Sequence, residues 1–219
     1  TLAVEAVVAV ARAAGVPVVV DAAGQVPPVA NLWRYTVEAG ADLAIFSGGK
    51  NLAGPQSSGL VVGKRSLIEA MRLNGPPHQR IGRAMKVSKE SMIGLLAAVE
   101  HYISLDHEAE YRRWSATVDQ WLEAWEERAP ETASVTRLET NEAGEPIPRI
   151  IVRLMPGAPV DRDRLVEILR NGDPGIEVVL HDPESVAFSP HLLREGDAEQ
   201  VTRRVSQVLY GLATGATPG

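Results

Sequence analysis

Gly40-Ala41-Asp42-Leu43-Ala44-Ile45-Phe46-Ser47-Gly48-Gly49-Lys50 decides how this chain folds. Leu43–Phe46 is a short apolar run with Gly40 before it and Ser47-Gly48-Gly49 after it, which reads as a strand between turns. Upstream, Val16–Val20 is β-branched and nearly continuous, and it ends at Asp21 before the loop Ala22–Pro28. Such a run suits a strand buried on both faces, as in a parallel sheet with helices around it. Between the two, Leu32–Glu38 reads as a short helix with Asn31 as its cap and Gly40 as its terminator. Downstream, Gly59–Val62 is a third strand ending at Gly63, and Lys64–Leu73 is helical. Residues 1–14 form an amphipathic helix stopped by Gly15 and Pro17. This alternation of strand and helix predicts an α/β layered architecture.

Further out, Gly75-Pro76-Pro77-His78 breaks the pattern, and a long helical stretch covers Ser88–Arg128 with a kink near Ser104–Asp106. Trp114, Trp121 and Trp125 recur along it at helical spacing, which suits core packing. After Pro130, strands are expected at Ser134–Glu139, Arg149–Leu154, Ile176–Leu180 and Val186–Phe188, with helices at Asp161–Arg170 and Asp197–Leu209. The expected organisation is therefore a large α/β domain over 1–87, a connecting helix region over 88–129, a small C-terminal α+β domain over 130–211 and a frayed tail over 212–219.

Composition bounds the chemistry. The 219 residues carry 22 basic and 28 acidic side chains, a net charge of −6, and no Cys. Zero Cys removes disulfides, thiolate metal sites and thiol nucleophiles, and a cytoplasmic protein is the default expectation. No run reaches the ~18–20 apolar residues of a membrane span. Thr1 opens inside a helical pattern that includes Glu5, unlike a signal peptide, so the chain reads as a fragment whose upstream context is missing. From Lys64 to Lys89 there are seven basic residues and one acidic residue, Glu69.

Asp21 directly follows one apolar run, and Lys50 lies four residues beyond the next. In open α/β sheets ligands bind outside the carboxyl ends of strands, so the two are expected in one crevice, either as a positioned pair or as a structural salt bridge. A phosphate-binding Walker loop would need Gly in place of Ala44 and Ser or Thr in place of Asn51, so that reading fails. An acid on one strand end, and a Ser three residues before a Lys on the next, fit pyridoxal phosphate. That cofactor needs a Lys for its aldehyde, an acid for its pyridine nitrogen and donors for its phosphate. The five His (78, 101, 107, 181, 191) lack metal-ligand spacing, and no metal is expected.

Val19–Gln25, Asn31-Leu32-Trp33, Gly40–Lys50, Gly54-Pro55-Gln56-Ser57-Ser58-Gly59-Leu60 and Ile81–Glu90 together resemble the selenocysteine synthase-like group of fold type I pyridoxal-phosphate enzymes. The resemblance is strongest to D-glucosaminate-6-phosphate ammonia lyase-type proteins. It implies the C-terminal part of a fold type I large domain followed by a small α+β domain. It also implies that Lys50 holds the cofactor as a Schiff base and acts as catalytic base. Asp21 would pair with the pyridinium nitrogen, Ser47 would contact the phosphate, and Ala23 would pack on a ring face. Gln25 would reach the ring oxygen or the substrate, although its spacing from Asp21 is one longer than in some relatives. Arg83, Lys86 and Lys89 would recognise an anionic substrate or a neighbouring subunit's cofactor, or else form a solvated basic face. His181 and His191 fall in the unit that closes over substrate in such enzymes. The implied activity is α,β-elimination with ammonia release from a hydroxylated amino acid, phosphorylated or not, such as D-glucosaminate 6-phosphate. The alternatives are a selenium transferase acting on seryl-tRNA(Sec), and a fragment or fold-only homologue without activity. Cysteine desulfurases share the fold but need a Cys. A homodimer or higher homo-oligomer and a small anionic amino-acid substrate are the partners expected, while the acidic balance speaks against nucleic acid.

Overall fold

Two compact units divide the chain, Thr1–His107 and Glu108–Gly219. The computed structural model describes residues 2–128 and 131–215.

In the first unit, α1 (Val4–Ala13) precedes β1 (Val19–Asp21), and α2 (Asn31–Trp33) runs into a π-helical turn over Arg34–Glu38. There follow β2 (Leu43–Ser47), β3 (Gly59–Gly63), α3 (Arg65–Asn74), a 3-10 turn over Ile81–Ala84 and α4 (Lys89–Ser104). The strands form one sheet in the order β1-β2-β3. β1 runs parallel to β2 with Asp21 opposite Ile45, whereas β3 is antiparallel to β2 with Ser47 opposite Gly59. The sheet is thus mixed rather than parallel. Residues 48–58 join β2 to β3 without a crossover helix, and strands joined that way must run antiparallel. β1 also differs from the expected strand buried on both faces: Val19 is 53% exposed, and among the described residues β1 pairs with β2 alone.

Asn31 does not cap its helix. The cap position is Ala30, and Asn31 is the first helical residue, buried, with its amide turned back to the preceding loop. Gly40 does end the helical turn, at φ 78°, a conformation that favours glycine. The core of this unit gathers Ala22, Val26, Leu32, Ala44, Phe46, Leu52 and Tyr102, with Leu95 and Val99 of α4 against it.

The helical stretch breaks at Leu105-Asp106. α4 belongs to the first unit, and α5 (His107–Glu126) runs into the second. There, β4 (Ala133–Leu138), β5 (Arg149–Leu154), α6 (Arg162–Arg170), β6 (Val179–Asp182), β7 (Ser185–Phe188) and α7 (Asp197–Thr214) follow. The sheet is antiparallel in the order β4-β5-β7-β6. Asp161 caps α6 by accepting from the Arg164 amide at 2.8 Å. Ile176 is not a strand residue: its amide donates to the Leu169 carbonyl at 2.8 Å, closing the end of α6, so the ladder begins only at Val179.

Trp121 and Trp125 are core residues. Their rings stack at 5.2 Å, and their indole nitrogens donate to Ala198 and Thr202 carbonyls of α7. That arrangement buries two large aromatic surfaces while satisfying both N–H donors. The end expected to fray from residue 212 instead continues α7 to Thr214, because Leu212 is buried in the core; 216–219 lie outside the described residues.

Candidate active site

The carboxyl ends of β1 and β2 lie side by side, and hydrogen bonding continues past them. The Ala22 amide donates to Ile45 O at 2.9 Å and the Ser47 amide to Ala23 O at 3.3 Å. This extension brings Asp21, Ala23 and Ser47 to one end of the sheet. Asp21 turns its Oδ1 to the Ala23 amide at 3.1 Å, which orients the carboxylate at the mouth of the loop. Asp21 is exposed, while Ala23, Gln25 and Ser47 are half-buried.

A closed turn presents Lys50. The Gly48 amide donates to Ser58 O at 2.9 Å, Gly54 to Gly48 O at 2.8 Å and Ala53 to Lys50 O at 2.8 Å. The Gln56 side chain donates to Gly49 O at 3.0 Å. A Cβ on Gly49 would fall 2.5 Å from Gln56 Cα, so glycine is required there. Leu52, 1% exposed, pins the turn into the core. Lys50 itself is exposed, and its Nζ lies 3.6 Å from the point that a Cβ on Gly24 would occupy. The structure therefore brings the Lys50 amine against the loop that begins at Asp21. Among the described residues, its ammonium makes no ion pair or hydrogen bond, and the Ser47 hydroxyl makes no hydrogen bond. The Lys50 side chain is thus free of competing partners at the end of the sheet where Asp21, Ala23 and Ser47 gather.

Gln25 is turned another way. Its Oε1 accepts from the Tyr35 hydroxyl at 3.5 Å, and its backbone carbonyl accepts from Asn31 Nδ2 at 2.6 Å. Asn51 Nδ2 donates to Val26 O in the same loop. Asn31 and Asn51 are the site residues that sequence reading missed as such. Asn51 registers there only as a mismatch to a phosphate loop, and nothing local shows which carbonyl a distant amide will reach.

The basic segment resolves into committed and uncommitted groups. Lys64 pairs with Asp42 at 2.5 Å, and that hydrogen bond, helped by one from the Val18 amide, holds the Asp42 carboxyl below its ordinary range. Arg72 pairs with Glu69 at 2.6 Å. Arg83, Lys86 and Lys89 form no ion pair among the described residues, and all three line one concavity of about 590 Å³ with Pro76, Pro77 and Met92. The Arg83 Nε is buried without a partner.

His107 and His191 both have structural partners. His107 Nε2 bonds Tyr102 O at 2.8 Å. His191 Nδ1 lies 3.0 Å from Ser189 Oγ beside the Trp114 ring, where burial lowers its pKa against the opposing pull of Glu142. Among the described residues, no group of three His, Cys, Asp or Glu is placed to hold a metal. None of the described helices is long and apolar enough to cross a membrane. The donor set of the first unit fits pyridoxal phosphate: a lysine side chain unpaired among the described residues, a carboxylate on the adjacent strand end, and the Ser47 hydroxyl.

Comparison with known proteins places the chain in a family and a fold. The family profile described as "SelA: L-seryl-tRNA selenium transferase" matches residues 1–141. A Streptomyces sp protein named 5'-C-glycyluridine monooxygenase-decarboxylase is 34% identical over 206 residues, covering 92% of this chain and 48% of that protein. A Salmonella typhimurium D-glucosaminate-6-phosphate ammonia lyase is 31% identical over 210 residues, 94% of this chain and 53% of that protein. The chain thus spans about half the length of the curated relatives it matches. Among solved structures, ureidoglycine–glyoxylate aminotransferase from Bacillus subtilis superposes with a TM-score of 0.60 at 14% identity, over all of this chain and 62% of that one. The fold is that of the fold type I pyridoxal-phosphate enzymes.

Proposed function

Because the chain belongs to the L-seryl-tRNA selenium transferase (SelA) family, we propose that it carries the lysine-bearing half of a pyridoxal-phosphate enzyme, and that this enzyme carries out α,β-elimination on a hydroxylated amino acid with release of ammonia. The observation that carries the reading is Lys50: an exposed amine, unpaired among the described residues, against the loop that follows Asp21. When bound, the cofactor supplies an electron sink for charge developing at the substrate α-carbon.

Lys50 would hold the cofactor through its aldehyde group, and its amine is the residue's group for taking a proton from the substrate α-carbon as a general base. Asp21 would pair with the cofactor's pyridine nitrogen and favour its protonated form, and the Ala23 amide fixes the direction of the carboxylate. Ser47 would contact the cofactor's phosphate and Ala23 its ring, whereas Gln25, whose Oε1 accepts from the Tyr35 hydroxyl, would have to leave that contact to reach it. In the net reaction a 2-amino-3-hydroxy acid becomes a 2-keto acid plus ammonia, with the β-hydroxyl lost as water and water consumed again when ammonia leaves. Arg83, Lys86 and Lys89 supply positive charge for an anionic substituent on that substrate, such as a phosphate. The protein acts in the cytoplasm as a homo-oligomer.

A second reading is an oxidative decarboxylation, favoured by the 34% identity to the 5'-C-glycyluridine monooxygenase-decarboxylase. One set of assays separates the outcomes. With D-glucosaminate 6-phosphate under nitrogen, ammonia and keto acid accumulate if elimination is the activity. Oxygen-dependent release of carbon dioxide from an amino-acid substrate supports the second reading. Selenophosphate-dependent turnover of seryl-tRNA without ammonia release supports a transferase.

A further inference from the structure

Two carboxamides hold the Ala22–Pro28 loop from opposite sides. Asn31, on the helix that follows the loop, donates Nδ2 to Gln25 O at 2.6 Å. Asn51, immediately after Lys50, donates Nδ2 to Val26 O, the very next carbonyl. Ala23 O is taken by the Ser47 amide at the end of β2. Three carbonyls of one loop are therefore claimed by donors from three different segments, and one of those donors is the neighbour of the lysine.

The surroundings make this bond consequential. Val26 is 2% exposed and Leu52 1%, so core residues flank the amide on both sides. A hydrogen bond shielded in this way is stronger and less readily exchanged for water. Lys50 takes no part in the bracing, which leaves its amine uncommitted, while Asn51 is one peptide, about 3.8 Å of Cα separation, further along. Asn31 carries a further sign. It is 5% exposed, and its Oδ1 is buried without a partner.

We propose that Asn51, with Asn31 as its counterpart, is a positioning residue that sets the placement of Lys50 against the Asp21–Gln25 loop. Its carboxamide measures the gap between the lysine turn and the loop, and the lysine is left free to react. Leu at this position has a similar volume but no donor. Asp has the same shape but brings an anion to a carbonyl. Gln keeps the donor on a longer arm.

The role in catalysis rests on the cofactor assignment made for Lys50, so the test has one arm with cofactor and one without. Asn51→Leu, Asn51→Gln and a packing control, Val62→Ala, at a half-buried residue against the core, are compared with wild type for thermal stability and cofactor dissociation constant. The rate at which trinitrobenzenesulfonate labels Lys50 in cofactor-free protein is read by peptide mass spectrometry, with salt-bridged Lys64 as internal reference. Asn51→Leu should weaken cofactor binding about tenfold, the scale of one lost buried hydrogen bond. It should also speed Lys50 labelling about threefold through local loosening. Asn51→Gln should recover most of both effects. Val62→Ala should lower stability and change neither. The proposal is overturned if Asn51→Leu matches Val62→Ala, with stability lost but labelling and affinity unchanged. If wild type binds no cofactor, the function assigned to Lys50 fails, and the labelling rates still decide whether Asn51 positions it.

Discussion

Lys50 Nζ lies 3.6 Å from where a Gly24 Cβ would stand, so the amine of the second strand end rests on the bare backbone of the loop leaving the first. This proximity joins two segments separated by more than twenty residues into one site, and it has a steric consequence. Gly24→Ala adds a methyl at ordinary contact distance and should be tolerated. Gly24→Val drives a branched side chain into the space of the ammonium, and overpacking of this kind forces displacement. The valine variant should remain folded by circular dichroism and bind pyridoxal phosphate about tenfold more weakly, as read by absorbance titration.

Asp21 offers the test of electronics. Asp21→Asn keeps the shape and removes the charge that holds the pyridine nitrogen protonated. Loss of one preorganised electrostatic contact at a reacting centre costs about 10²–10³-fold in kcat. The variant should still take up cofactor, so steady-state kinetics should show a fall in kcat at nearly constant KM.

The concavity lined by Arg83, Lys86 and Lys89 predicts a selective effect. Arg83→Ala should raise KM for a phosphorylated substrate about tenfold or more, the scale of one lost hydrogen bond to a charged group. KM for an uncharged hydroxy amino acid should not change. Paired kinetics on the two substrates check this, and equal effects on both would remove Arg83 from substrate recognition.

His191 predicts a pH dependence of stability. Burial lowers its pKa below 6.5 in the folded protein, so the neutral form is favoured there. As pH falls through 6.5 the unfolded chain binds a proton that the folded chain refuses, and stability declines until the lowered folded pKa is passed. Urea midpoints at pH 7.5 and pH 5.5 measure the decline. His191→Gln should reduce the difference between them.

The positions of Asp21 at the end of β1 and Lys50 in the turn after β2 were legible in the sequence, and the reasons are local. Asp21 and Lys50 stand where apolar runs stop, and run ends are visible in a one-dimensional pattern. Trp121 and Trp125 announced their core role by helical spacing. Other features depended on distant partners. Asn31 before an apolar segment looks like a cap, yet its amide is drawn to Gln25 O across six residues. β1 reads as buried on both faces because Val16–Val20 is apolar, but the pattern cannot say whether a neighbour lies on each side. The antiparallel turn of β3 follows from the fold of residues 48–58, which glycine and serine spacing leaves open. Arg83, Lys86 and Lys89 are visible as a charge run. That they share one concavity, while Lys64 and Arg72 are paired elsewhere, needed coordinates.

The central claim is that Lys50 is the cofactor-holding amine. Protein incubated with pyridoxal phosphate and then reduced with borohydride should carry one phosphopyridoxyl group, located on the Lys50 peptide by mass spectrometry and absent from Lys50→Ala. A label spread evenly over Lys50, Lys64, Lys86 and Lys89, or one retained in Lys50→Ala, would contradict it.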